Sequence, residues 1–111
     1  MGRTQAILVL FAAAALEAGG DALMRAALHK NSTGPRLLLF VLAAAVLCAY
    51  GWTVNAPPWN FGKLIGIYVV FFFLIAQLIS WLVFRQVPSL AIWVGGGLIV
   101  AGGIVISMGT S

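Results

Sequence analysis

The chain is short of charge, and shortest of negative charge. Only 7% of its 111 residues are charged, and Glu17 and Asp21 are its two acidic residues. A soluble domain carries about 25% charged residues, so a chain that is 63% hydrophobic cannot present a soluble surface and needs lipid. Cysteine occurs once, at Cys48. That excludes a disulfide within the chain, and the apolar run around it suggests a buried, inert thiol. Proline occurs four times, and Pro35, Pro57, Pro58 and Pro88 all fall between apolar runs, where a residue without an N–H interrupts a helix. The formal net charge of +4 does not point to nucleic acid. The basic residues are scattered and sit mostly at the ends of apolar runs, where they set topology. No enzyme, cofactor or metal is expected.

What remains is four apolar runs. At about 1.5 Å per residue, some 20 residues cross the hydrocarbon core. The runs predict one four-helix membrane domain over residues 1–111, with spans at about 4–24, 37–55, 64–84 and 89–108. Arg3 followed by an apolar stretch and small residues could also be read as a signal peptide. The run instead enters Glu17 and continues helically, which suits a retained helix better. Residues 29–36 read as a polar loop. Trp52 and Trp59 bracket one membrane interface, and Trp81 and Trp93 the other. Short connections predict an up-down-up-down set with both termini on one side. Arg3 and Lys63 then lie on the terminal side, and Arg25, Lys30, Arg36 and Arg85 on the opposite side. Four against two is a weak bias, so insertion in both orientations is expected.

The chemistry lies in residues 17–29. Glu17, Asp21, Arg25 and His29 are spaced by four and share one helix face. A carboxylate inside a bilayer costs several kcal/mol and usually points into a bundle or cavity. Glu17 and Asp21 are one turn apart, about 6 Å, and two like charges there repel by about 3 kcal/mol at an effective dielectric near 20. One of them should therefore hold a proton near neutral pH unless a cation compensates. Arg25 is the expected partner of Asp21 in an ion pair, acid before base being the better order. Glu17 is then the group that exchanges a proton. A carboxylate that holds either a proton or a cation is the minimum device for proton-coupled cation transport. The plainer alternative is a polar stripe at a helix end with Arg25 and His29 snorkelling, and for His29, beside Lys30, it is preferred. Tyr68 offers a π face and a hydroxyl, and Gln77 needs a partner if buried. Both join Glu17 and Asp21 as candidate proton and substrate contacts.

The last run holds small residues at spacings of four and seven. Gly97 and Ala101 form a small-x-x-x-small pair, a device for close helix packing or dimerisation. Four spans of this length can barely enclose a drug-sized cavity. Two copies in opposite orientations could do so, each presenting Glu17 to a shared chamber, and would supply inverted repeats for alternating access.

In this pattern the chain resembles the small multidrug resistance (SMR) transporters of the drug/metabolite transporter superfamily. The likeness covers length, four spans and short loops. Locally it rests on Ala15-Leu16-Glu17 followed by Leu23-Met24-Arg25, on Leu78-Ile79-Ser80-Trp81 through Phe84-Arg85-Gln86, and on Gly97-Leu98-Ile99-Val100-Ala101-Gly102-Gly103-Ile104-Val105-Ile106. The resemblance implies that Glu17 is the proton and substrate site, that the fourth helix is the dimer contact, and that the assembly is an antiparallel homodimer. The chain departs from the family at the start of the third helix. Ile65 and Tyr68 stand where tyrosine and tryptophan are usual, and Val69-Val70-Phe71-Phe72 replaces a glycine-containing bend.

The leading expectation is thus a proton-coupled exporter of small cationic or amphipathic compounds. It would sit in a bacterial plasma (inner) membrane and pair with itself or with a homologous chain. Two alternatives stand beside it. One is a flippase subunit for a lipid-linked headgroup. The other is a non-catalytic accessory protein whose carboxylates pair with basic residues of a partner span.

Overall fold

The structure is a computed structural model that describes residues 1–109. Four helices account for nearly all of them: α1 (Arg3–Leu28), α2 (Thr33–Val54), α3 (Phe61–Leu82) and α4 (Leu90–Met108). Each is long and apolar enough to cross a membrane, so the described residues form an all-helical fold consistent with an integral membrane protein. The boundaries differ from the apolar runs in informative ways. Helix α1 continues four residues past Met24 to Leu28, because Asp21 and Arg25 interrupt hydropathy without interrupting helix. Helix α2 begins at Thr33 rather than Leu37 and takes in Gly34-Pro35-Arg36. Proline in a first turn loses only an N–H that has no intrahelical acceptor. Helix α3 ends at Leu82, and Arg85 turns the chain in the left-handed region (φ 57°). The Gln86 N–H donates back to the Ser80 carbonyl at 2.9 Å.

Helix α1 is the centre of the molecule. Of its apolar window 28% is buried, against 11% for each of the other three. Its inward positions are mostly small: Ala6, Leu10, Ala13, Ala14, Ala18, Gly20 and Ala27 are buried. Small side chains let two helices approach an axis closely, which is how membrane helices gain packing without a hydrophobic drive. Helices α2 and α3 both pack on α1, and α4 packs on α3 alone. The order in space is therefore α2, α1, α3, α4. The molecule measures 51 × 34 × 18 Å. Helices α1, α2 and α3 group around one buried cluster, and α4 extends the molecule on the far side of α3. Large apolar residues on every helix, such as Val41, Leu74 and Leu98, are exposed, as a lipid-facing surface requires.

The one dense cluster lies where α1, α2 and α3 meet. Leu10, Ala13 and Ala14 of α1 pack there against Val54 of α2 and Leu64, Ile67 and Tyr68 of α3. Helix α4 docks through Gly96 and Gly103. A Cβ on Gly96 would lie 2.6 Å from Phe73, and one on Gly103 would run into Val70. Cys48 is exposed, which corrects the expectation of a buried thiol. Helix α2 packs mainly on α1 and meets α3 only near its end, through Tyr50 and Val54, so most of its circumference, Cys48 included, faces outward.

Candidate functional site

Glu17 is half-buried in the middle of α1. The Tyr68 hydroxyl of α3 donates to its Oε1 at 2.6 Å. The same hydroxyl lies 3.4 Å from the Ala13 carbonyl. One phenolic proton cannot serve both acceptors equally, and 2.6 Å is the length of a charge-assisted O–H···O⁻ bond, so the carboxylate is the partner that counts. Tyr68 is only 4% exposed, which fixes its ring and aims its hydroxyl. Leu64 and Ile67 are buried one turn before and beside it.

An aromatic wall surrounds this bond. The Tyr50 ring of α2 lies 5.8 Å from that of Tyr68, and the Phe72 ring 6.3 Å away, nearly parallel to it. Phe11 of α1 meets Phe71 edge-on at 6.3 Å. Three helices thus contribute to one site: the acid from α1, the donor from α3 and a second phenol from α2. Rings grouped around a carboxylate offer a cation both a counter-charge and π faces.

Asp21, one turn further, is exposed. It lines a separate cleft of about 180 Å³ with Arg25, Phe72, Ser80, Phe84 and Gln86. The Arg25 guanidinium lies over the Phe84 ring, 5.4 Å from its centre. The ion pair expected between Asp21 and Arg25 is not closed, and among the described residues no cation lies within 4.0 Å of either carboxylate. The aromatic face at the end of α3 competes successfully for the guanidinium, and both side chains are open to their surroundings. Ser80 Oγ donates to Gln86 Oε1 at 3.2 Å, which ties the end of α3 to the loop that forms one wall of the cleft. At about 180 Å³ the cleft is smaller than the 300 Å³ or more of a drug-sized site.

The other candidates lie elsewhere. Gln77 is half-buried but sits nine residues from Tyr68, about 900° around the helix and so on its opposite side. It continues the stripe of Gly66, Val70 and Phe73, residues that face α4, and does not reach Glu17. Gly97 and Ala101 are exposed, and nothing lies within 4 Å of a Cβ placed on Gly97. Packing inside the chain uses Gly96 and Gly103 instead, which face Phe73 and Val70 of α3. His29 is exposed beyond the end of α1. Tyr50 was not legible as a site residue. Its only signal was a polar-tipped ring near the end of an otherwise apolar run.

No family model, no curated protein and no solved structure matches the chain. The site is therefore interpreted from its own geometry.

Proposed function

We propose that the protein is a proton-coupled secondary transporter that exports small cationic or amphipathic compounds by alternating access, with Glu17 as the shared proton and substrate site. The observation that carries this reading is the 2.6 Å bond from Tyr68 to Glu17, made to a carboxylate without a cation partner. A carboxylate meant for structure in a bilayer is paired. Here a neutral donor, Tyr68, holds the acid, and no cation among the described residues pairs with it, which leaves its charge for a proton or a substrate cation. Deprotonation leaves a charge that an organic cation can neutralise beside the rings of Tyr50, Tyr68 and Phe72. Protonation removes that charge and releases the cation. Gly97 and Ala101, on the outer face of α4, would pack against a second copy. An antiparallel homodimer would enclose a chamber between its two copies, with Glu17 on both walls. The resemblance to SMR transporters points the same way.

The test is electrical. Purified protein in liposomes should give currents on addition of small guanidinium or quaternary ammonium compounds under a pH gradient, and Glu17→Gln should abolish them. Silence from wild type that is folded and dimeric would sink the reading for those cations. A second reading, transport of a lipid-linked headgroup, is favoured by the cleft that brings Asp21 and Arg25 together without pairing them. An unpaired acid and base suit a zwitterionic headgroup better than a simple cation. It predicts headgroup translocation that fails in Asp21→Asn and Arg25→Gln while Glu17→Gln retains part of it.

A further inference from the structure

At the end of the molecule where the chain starts, three helices converge on a second cleft of about 180 Å³. Arg3 and Ile7 line it from α1, Lys63 and Ile67 from α3, and Ser107 from α4, while Trp59 closes it from the loop before α3. Two cations, sixty residues apart in sequence, therefore face one opening. The Lys63 ammonium lies over the Trp59 ring at 5.3 Å, which holds it at the mouth rather than leaving it to sweep the surface. Among the described residues no acidic side chain lines this cleft. Both acidic residues of the chain are on α1, and the closer one, Glu17, is fourteen residues on from Arg3, about 21 Å along the axis. Helices α1 and α3 begin at this end and α2 and α4 finish there, so the helix dipoles offset one another and the positive field comes from the Arg3 and Lys63 side chains. The opposite cleft differs, since it carries Asp21 beside Arg25.

The position decides the ligand class. Arg3 and Trp59 sit at the ends of membrane-spanning helices, where phospholipid phosphates lie, and basic pockets between such helices bind anionic headgroups. We propose that this cleft is a phosphate-binding site occupied by the headgroup of an anionic phospholipid, with Arg3 and Lys63 as its two cationic ligands; Ser107 lines its wall, with its hydroxyl donating to the Ile104 carbonyl at 2.8 Å. The apolar floor of Ile7 and Ile67 accepts the glycerol end of an acyl chain that runs down the groove between α1 and α3. By tying the ends of α1, α3 and α4 together, the bound lipid would steady α4, which otherwise touches α3 alone.

Native mass spectrometry of the full chain in a neutral detergent tests this, with phosphatidylglycerol as the probe and zwitterionic phosphatidylcholine as the comparison. Wild type should retain phosphatidylglycerol in preference. The double variant R3Q/K63Q should bind it roughly 30-fold more weakly, at about fivefold per basic residue. The charge-conserving R3K/K63R should keep it, as should the control K30Q/R36Q at the other membrane face. Far-UV circular dichroism establishes that each variant is folded. If R3Q/K63Q proves unstable, R3Q and K63Q alone carry the test at about fivefold each. Inorganic phosphate separates the sources. Displacement of the lipid by millimolar phosphate in wild type would mean that the phosphate group alone is recognised and that a soluble anion is the occupant, overturning the lipid assignment. Equal phosphatidylglycerol binding by wild type and folded R3Q/K63Q, or an equal loss in K30Q/R36Q, would overturn the site itself.

Discussion

Glu17 and Tyr68 illustrate how much one hydrogen bond across two helices can specify. The bond joins residues 51 positions apart and is made to an ionisable acceptor, so it should contribute about 1.5–3 kcal/mol, more than a neutral pair. A double-mutant cycle with Glu17→Gln and Tyr68→Phe, read by denaturant unfolding in mixed micelles, should return a coupling energy of about 1–2 kcal/mol, allowing for the weaker bond that glutamine retains. Additive effects would mean that the two side chains do not meet. Tyr50→Phe keeps the ring at 5.8 Å from Tyr68 and should change stability by less than about 0.5 kcal/mol, as checked in the same titration. Glu17 was legible in the sequence because a lone acid in an apolar run is expensive, and Tyr68 because it alone in that aromatic run carries a hydroxyl. Their contact was not, since no local period links α1 to α3. The Asp21–Arg25 pair failed for the opposite reason. Spacing of four permits an ion pair, but it carries no information about Phe84, which lies nearly sixty residues away and takes the guanidinium.

At the scale of the helices, α4 separates two uses of glycine that look alike in sequence. Gly96 and Gly103 are seven apart and face Phe73 and Val70 of α3, so a Cβ there forces side chains aside. Gly97 has open space beyond it. Gly103→Val should therefore destabilise the folded chain by about 1–3 kcal/mol through overpacking, measured as unfolding of the monomer in detergent. Gly97→Val should leave that value within about 0.5 kcal/mol. In the proposed dimer it should instead lower the fraction of cross-linked pairs, because an outward small residue is where a second helix would approach. A Gly103→Val protein as stable as wild type would mean that α4 does not pack on α3 through this face. The four spans themselves were plain from hydropathy, because twenty apolar residues in a row have few other uses. Which of several glycines faces inward was not plain. Adjacent glycines differ by only 100° around the axis, and the sequence does not say where α3 lies.

For the molecule as a whole, thickness and charge lead to one argument. A molecule 18 Å across its thinnest dimension, with clefts of about 180 Å³, is too small to surround a drug-sized substrate. In the proposed transporter, alternating access needs two halves that close around the site in turn, and the second half would come from another chain. Identical copies in the same orientation would place both Glu17 residues under one wall geometry and give no inversion. Copies in opposite orientations would give it, and the weak charge bias is compatible with both insertions. Arg3 and Lys63 stand at one end of the structure, in one cleft, and Arg25 stands at the other, beside Gln86. Lys30 and Arg85, in the loops, and Arg36, in the first turn of α2, belong to that second end. A bias of four to two lies near the balance point of the positive-inside rule. In a Cys48→Ser background, a single cysteine introduced at Lys30 should be labelled by a membrane-impermeant maleimide to about half from each side of the membrane. Adding two arginines beside Gly2 should collapse the labelling to one side, since a few charges near a span end reset orientation. The same addition should then abolish transport unless an oppositely biased copy is supplied. Labelling of the unmodified sequence from one side only would rule out an antiparallel pair of identical chains and turn the search to a second, homologous partner.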